Sequence, residues 1–379
     1  MEAKKPIVFL IRNISPENYG GAESYQLELA KILLQNDYVP IIYTASKRLL
    51  ENAKAEGIKT VRAPYIERQN WSGWRNILLP QYFIHQNKLY KWYKEQILKY
   101  HPITIDVQSR DEWIAATKAG RKTGTKVLWT DHIDLRTWVL QNINHPLKNI
   151  IGKKIIKSTS AVAKIIFITD YEKCAVKKMI SPKQLPNAVV MKNGVVDEKQ
   201  NIKQQTQPKS FCYVGRLIDY KGLQELIEAF RKINSEFSDS TLNIYGEGPD
   251  GDKFRQMAQD NKNIIFHGYT NKPLDAIAKS EIFILPSYYE GLSITLLQAA
   301  MLGKAIIATN VDGNPEVVSD HETGLLVPSR DSEALAKAMR ELLLDDKLRH
   351  TVAKNVRKKY EQEFDFTNII KKQFIQYLK

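Results

Sequence analysis

At 379 residues, 43% apolar and 26% charged, the chain exceeds one ordinary hydrophobic core and has enough apolar content for two. No run approaches the roughly 18 apolar residues that cross a bilayer, and the opening Pro6–Ile11 stretch is too short for a signal peptide; the cytoplasm is the expected address. The formal charge of +14 is uneven: residues 1–200 hold 32 Lys and Arg against 18 Asp and Glu, whereas residues 201–379 hold 24 against 24.

In chain order, Pro6–Arg12 reads as a buried strand and Gly21–Gln35 as a helix. Tyr38–Thr44, Lys126–Thr130 and Ala163–Thr169 read as further strands, the alternation expected of βα units around a parallel sheet. Pro186–Lys192 leads into the turn dipeptide Asn193-Gly194, and Glu198–Ser210 is a polar run without apolar periodicity, suited to a linker. The pattern restarts with strand Phe211–Val214 and helix Leu223–Asn234, whose Leu223, Leu226, Ile227 and Phe230 share one face. Thr241–Tyr245, Ile264–Phe266, Ile282–Leu285 and Ala305–Thr309 read as strands, and Ser332–Leu344 as a helix capped by Ser332. Phe364–Leu378 is helical in pattern, with Ile369, Ile370, Phe374 and Leu378 on one side. These elements predict an α/β protein of two Rossmann-like, doubly wound domains facing across a cleft: residues 1–197, a linker at 198–210, and residues 211–363. Ligands in such sheets sit beyond the carboxyl ends of the strands.

The most specific signal is Val214-Gly215-Arg216-Leu217 followed by Lys221-Gly222. A strand ending in glycine lets backbone approach a ligand closely, and two cations just beyond it can neutralise a diphosphate as its charge grows. The second signal is a glycine-containing loop, Ser287–Gly291, entering a helix near Ser293 whose tip offers unpaired N–H groups to phosphate. Glu290 precedes that helix and Gln298 lies more than a turn inside it, while Ile294, Leu297 and Met301 form its core face. Asp250-Gly251-Asp252 invites comparison with a metal-binding carboxylate pair, but its place before a helix is met by turn and capping duties. Gly246-Glu247-Gly248 lacks the full dinucleotide fingerprint. Cys174 and Cys212 lie far apart and fit no ligand spacing, so neither a disulfide framework nor zinc is indicated.

Eight motifs in order resemble the family-four glycosyltransferases of the GT-B fold, over essentially the whole chain. They are Gly20-Gly21-Ala22-Glu23, Thr130-Asp131-His132, Asn193-Gly194-Val195, Gly215-Arg216-Leu217 with Lys221-Gly222, Gly246-Glu247-Gly248-Pro249, Glu290–Gln298, Asp312-Gly313-Asn314-Pro315-Glu316 and Thr323–Val327. The resemblance implies transfer of a sugar from a nucleotide-diphosphate donor, more commonly a uridine one, with retention of configuration and without a metal or other cofactor. Arg216 and Lys221 would hold the diphosphate. Glu290 and the backbone at Gly291, Leu292 and Ser293 would hold sugar hydroxyls and phosphate. Gly20 and Gly21 would approach the diphosphate as the cleft closes, and His132 would touch the transferred sugar. The family usually has a second glutamate where this chain has Gln298, which weakens the expected grip on the ribose diol. The resemblance also implies that segment 364–379 packs back on the first domain; a plain terminal helix on the second is the simpler alternative.

His132 follows a strand into a polar loop, a placement that favours a site histidine, with Asp131 and Asp134 as turn and capping residues. The acceptor, a glycan or lipid-linked intermediate of cell-surface polysaccharide synthesis, leaves no specific motif. Aromatic and basic residues mix at Trp71–Trp74 and Leu89–Lys94, and Lys148–Lys157 is a second basic amphipathic stretch. These point to an anionic membrane surface at the inner face of the plasma membrane, with surplus surface lysine as the plainer account. Nucleic acid is not expected, since no binding-fold signature accompanies the charge. A nucleotide-sugar epimerase and a catalytically silent sugar-binding subunit are the alternatives, the latter supported by Gln298.

Overall fold

The computed structural model describes residues 5–65, 79–132, 135–140, 148–185, 187–203 and 205–379. Two compact units emerge, Met1–Lys192 with Thr367–Lys379, and Asn193–Phe366. Trp71–Trp74, Asp134 and Pro186, which carried expectations above, lie outside the described residues.

Seven parallel strands form the sheet of the first unit: β1 (Ile7–Ile11), β2 (Val39–Thr44), β3 (Lys59–Arg62), β4 (Thr104–Val107), β5 (Lys126–Asp131), β6 (Lys164–Phe167) and β7 (Ala188–Val190). Their spatial order is β3-β2-β1-β4-β5-β6-β7, so the winding reverses between β1 and β4. Successive strand residues point to opposite faces, and Val8, Phe9, Leu10 and Ile11 are all fully buried. Both faces are therefore covered, which is why β1 reads as an unbroken apolar run. β4 escaped the sequence reading because two of its four residues, Thr104 and Asp106, are polar although fully buried. The stretch Phe366–Leu378 is helical with a wider π turn at Ile370–Phe374, and Ile370, Phe374 and Leu378 are buried. Lys126 Nζ, on β5, donates to the Leu378 carbonyl at 3.4 Å.

In the second unit, six parallel strands are β8 (Gln207–Val214), β9 (Thr241–Tyr245), β10 (Ile264–Gly268), β11 (Ser280–Leu285), β12 (Ala305–Thr309) and β13 (Leu325–Val327). Their order is β10-β9-β8-β11-β12-β13, reversing between β8 and β11. The polar run 198–210 lies inside this unit, and its last four residues open β8. Helix Leu223–Glu236 buries Leu223, Leu226, Ile227, Phe230 and Ile233 against the sheet, the stripe its i, i+3, i+4, i+7 spacing predicts. The Ser332–Leu344 helix is capped by Asp331 rather than Ser332: the Asp331 carboxylate accepts Ala334 N–H at 2.8 Å, a charge-assisted bond at the positive end of the helix. Among the described residues no helix is long and apolar enough to cross a membrane.

Candidate functional site

The second unit assembles its polar cluster where the strand order reverses, at the carboxyl ends of β8 and β11. β8 runs into Gly215, whose N–H donates to the Tyr245 carbonyl at 3.0 Å. Loop Gly246–Pro249 lies directly against this turn: a Cβ on Gly246, at φ +139°, would stand 1.8 Å from the Gly215 oxygen. A Cβ on Gly248 would likewise stand 2.2 Å from the Leu217 oxygen, so packing alone explains both glycines of this loop. The Arg216 carbonyl is held by the Tyr213 hydroxyl at 2.9 Å, while the Arg216 side chain is exposed and makes no hydrogen bond or ion pair among the described residues.

Lys221 ends a short 3₁₀ turn, Asp219–Lys221, closed by Gly222 in the left-handed region at φ +71°. A Cβ there would meet the Pro286 carbonyl at 2.0 Å, so only glycine lets this turn rest on the segment leaving β11. Tyr288 N–H donates to the Tyr220 carbonyl at 2.8 Å, fastening the two loops. Lys221 Nζ thereby pairs with the Glu290 carboxylate, and their side chains are only 16% and 10% exposed. Ser287 Oγ donates to the same Glu290 oxygen at 2.9 Å, and Glu290 N–H donates to Asp312 Oδ2 at 2.9 Å.

Beyond Glu290, Gly291, buried Leu292 and Ser293 lead into helix Ile294–Leu302, where Ser293 Oγ accepts Leu296 N–H at 3.4 Å. Leu296, Leu297 and Met301 form the buried face; Ile294 is only half-buried, a turn too early to be covered. Gln298 is half-buried too, and its Oε1 is buried without a hydrogen-bond partner among the described residues. Three participants were missed in the sequence: Asp312 as the anchor of Glu290, Ser287, and the stack of Tyr220 on Tyr289 at 4.4 Å. Asp312 carried one usable signal, its place in the Asp312–Glu316 motif; its φ of +44° became visible only in the fold.

Asp250 stands at the start of helix Gly251–Ala258 without capping it, because its Oδ2 instead accepts Asp219 N–H at 2.8 Å and so steadies the Lys221 turn. Asp252 pairs with Arg255 at 2.9 Å. Among the described residues no group of three or more His, Cys, Asp or Glu could hold a metal ion.

The first unit places its polar residues at its own reversal. Gly20 and Gly21 are exposed and begin helix Gly21–Gln35, with Gly20 N–H donating to Glu23 Oε2 at 2.7 Å. The other Glu23 oxygen pairs with Arg12 Nε, and Arg12 Nη1 donates to the Gln108 carbonyl at 2.7 Å. His132 follows β5; its ring packs edge-on against Tyr25 at 5.0 Å, and its Nε2 is buried without a hydrogen-bond partner among the described residues. Burial, and secondarily the Arg12 charge, hold the imidazole well below its usual pKa. Asp131 accepts Leu135 N–H at 3.2 Å, the capping role expected of it. Arg12 was missed because a lone arginine after a strand carries no pattern.

Two all-parallel α/β sheets, each with polar groups gathered where its strand order reverses, define the class: this is a GT-B fold. It superposes on a glycosyltransferase from Rickettsia africae ESF-5 with a TM-score of 0.77, at 18% identity over 99% of this chain and 98% of that one. HepE from Anabaena, solved with UDP-glucose, gives a TM-score of 0.76 at 14% identity, covering 98% of both chains. Residues 196–359 match the family described as Glycosyl transferases group 1. That match falls in the second unit, which carries the family's domain. Among curated relatives, the capsular polysaccharide biosynthesis glycosyltransferase CapM of Staphylococcus aureus is 30% identical over 156 residues, 40% of this chain and 41% of that one. The chain spans about half the length of the curated relatives it matches.

Proposed function

We propose that the chain is a retaining hexosyltransferase that moves a sugar from a nucleotide-diphosphate donor, UDP being the expected nucleotide, to a hydroxyl of a glycan or lipid-linked acceptor in cell-surface polysaccharide synthesis. The observation that carries this reading is the network at the ends of β8 and β11. There Lys221 and Glu290 are interlocked beside an Arg216 that has no partner among the described residues, next to a helix tip. An incoming diphosphate would take Arg216 and draw Lys221 from Glu290, freeing a carboxylate oxygen for sugar hydroxyls. Gly215 and the backbone of Gly291, Leu292 and Ser293 admit the phosphates closely, and Gln298 takes the ribose. In the first unit, the exposed Gly20 and Gly21 turn is assigned to phosphate and His132 to a sugar hydroxyl. In the reaction the acceptor oxygen bonds to the anomeric carbon, the bond from that carbon to phosphate breaks, and the departing phosphate accepts the hydroxyl proton on the same face. No residue of the chain is required as a covalent nucleophile.

The family match and the name of CapM support the setting, and the UDP-glucose bound by HepE supports the donor class. We extend the reading to an anionic membrane surface at the cytoplasmic face. Helix Leu79–Tyr100 turns Leu89 and Tyr93 into the core, so those residues are not available to lipid. It leaves Ile84, Lys88, Lys91, Leu98 and Lys99 exposed. Helix Lys148–Ser158 adds exposed Ile150, Lys153 and Lys157, and Lys154 lies 3.7 Å over the Phe83 ring, joining the two helices. Retention at low salt by vesicles containing anionic lipid, and not by neutral ones, is the expected result; equal retention by both removes this extension.

The test of the main reading is nucleotide release from a panel of nucleotide sugars with and without acceptor, alongside thermal shifts with each donor. Release that depends on acceptor is expected. Conversion of the donor into an epimeric nucleotide sugar, with no net release of nucleotide, would point to an epimerase. A donor that raises the melting temperature but is never turned over would point to the silent subunit that Gln298 favours.

A further inference from the structure

We propose that Arg12, locked to Glu23, is a positioning residue that sets His132 and the Gly20–Gly21 turn as one unit; this rests on the assignment of His132 to a substrate hydroxyl. Strand order carries the geometry. β1, β4 and β5 are consecutive in the sheet, and Arg12, Gln108 and His132 are the residues at or just past their three carboxyl ends. The Arg12 guanidinium reaches sideways from β1 to donate to the Gln108 carbonyl beyond β4, which brings its charge toward the end of β5. Glu23 holds the opposite edge of the guanidinium with one oxygen and Gly20 N–H with the other. Two residues further along the same helix, Tyr25 packs its ring edge-on against His132. One carboxylate therefore ties together the exposed turn, the arginine and the helix that braces the histidine.

Glu23 is spent in this role: it is 4% exposed and both of its oxygens are occupied. Among the described residues, Tyr25 from the helix packs against the His132 ring and Arg12 after β1 acts on it, while Asp131, the preceding residue on β5, accepts Leu135 N–H. Asp106 on β4, near Tyr25, is held by Gln108 and Thr130, and Arg136 is paired with Glu172. Among the described residues Arg12 is thus the cation that acts on the imidazole, and it favours the neutral ring with Nε2 open to a hydroxyl.

The experiment is the NMR titration of the imidazole C–H signals in the full chain without donor, with His132→Asn identifying the His132 signal. Arg12→Gln removes a positive charge and is expected to move the His132 titration to higher pH. Glu23→Gln removes the negative charge that offsets Arg12 and is expected to move it lower. Arg12→Lys keeps the charge and is expected to leave it near wild type, which keeps the test decisive should Arg12→Gln fold poorly. If the pair merely props up the turn, Arg12→Gln and Glu23→Gln would both hydrate the pocket and move the titration upward; that result, or no movement in either, overturns the proposal. Kinetically, Arg12→Gln is expected to lower kcat about tenfold or more, with donor KM nearly unchanged and the acid limb of the pH profile raised. Since the titration is read without donor, it decides the role of Arg12 even if the wild-type chain releases no nucleotide, an outcome that counts against the functional reading alone.

Discussion

The two sheets reverse at equivalent places, between β1 and β4 and between β8 and β11, and fill those places differently. At the first reversal the charges cancel: Arg12 and Glu23 are paired and nearly buried, and the polar atoms left without a partner among the described residues include the uncharged His132 Nε2 and Gln108 Oε1. At the second, Lys221 and Glu290 are paired in the same manner, but Arg216 remains exposed beside them without a counterion among the described residues. Similar scaffolds thus present a neutral polar surface suited to hydroxyls and a surface with spare positive charge suited to phosphate. The distinction lies in local pairing, which the net charges of the two halves would have placed the other way round.

The largest effect is expected where a pair is both structural and chemical. Lys221→Ala and Glu290→Ala should each lower transfer by about a hundredfold or more, with the double variant little worse than either, since the two act as a unit. Each also leaves a mostly buried charge unpaired, at a cost of about 1–3 kcal/mol, so the melting temperature should fall modestly without loss of fold. Arg216→Ala sharpens the contrast: with no partner among the described residues to strand, it should lose donor binding at an unchanged melting temperature. Initial rates and thermal melts on the four variants decide this. A fully active Lys221→Ala would remove the residue from the mechanism.

Next comes a comparison of two glycines with nearly the same backbone. Gly222 in the second unit has φ +71° and Gly57 in the first has φ +70°. An alanine at 57 meets nothing within 4 Å, so it bears only the left-handed strain of about 1–2 kcal/mol. At 222 the same strain is joined by a Cβ 2.0 Å from the Pro286 carbonyl, and the Lys221 turn must lift off β11's exit. Gly222→Ala should therefore lower the melting temperature by several degrees more than Gly57→Ala, and lower activity as well. Equal losses would show that the close approach is not required.

A smaller change is expected at Gln298. Its Oε1 is buried without a partner among the described residues, on the helix whose tip adjoins Glu290. Gln298→Glu gives two charge-assisted acceptors for a ribose diol in place of one acceptor and one donor, worth about 1–2 kcal/mol. Donor KM should fall by roughly five- to thirtyfold with kcat little changed. Isothermal titration with the nucleotide alone isolates this effect, and unchanged affinity would separate Gln298 from ribose recognition.

What was legible in the sequence follows from what local patterns encode. Continuous apolar runs identify strands buried on both faces, so β1 and β12 were found nearly to the residue, whereas β4 was hidden by Thr104 and Asp106. Motif glycines and cations marked the Gly215–Gly222 and Glu290–Ser293 segments because close backbone approach restricts residue type. The roles of Arg12 and Asp312 were not readable, since each acts through a contact distant in sequence; Ser287 lies only three residues from Glu290, but an ordinary serine in a loop announces no partner. Capping erred by one residue at Ser332 because Asp331 and Ser332 are both good caps and only the backbone bend chooses between them.

The smallest effect concerns a buried ionisable group outside both clusters, and the two units again differ in sign. The second unit buries an ammonium, Lys304, with its pKa lowered to about 8 by burial, while its Nζ donates to the Ala278 carbonyl at 2.7 Å. The first buries a carboxyl, Asp106, raised to about 7 by burial against the opposing hydrogen bonds from Gln108 and Thr130. An unfolded aspartate titrates near 4. Below about pH 4 the group is protonated in both states and its contribution to stability is fully present; as pH rises toward 7 the unfolded chain ionises first, and that contribution is lost. Asp106→Asn cannot ionise. Its amide can accept from Thr130 Oγ1 and, once the Gln108 amide flips, donate to Gln108 Oε1, which is buried without a partner among the described residues. The variant should match wild type near pH 4 and gain on it up to pH 7, with no further gain above. Melting temperatures of the two proteins across that range test the sign directly: a gap that is constant with pH would mean that Asp106 is ionised in the folded chain and that Gln108 and Thr130 outweigh its burial.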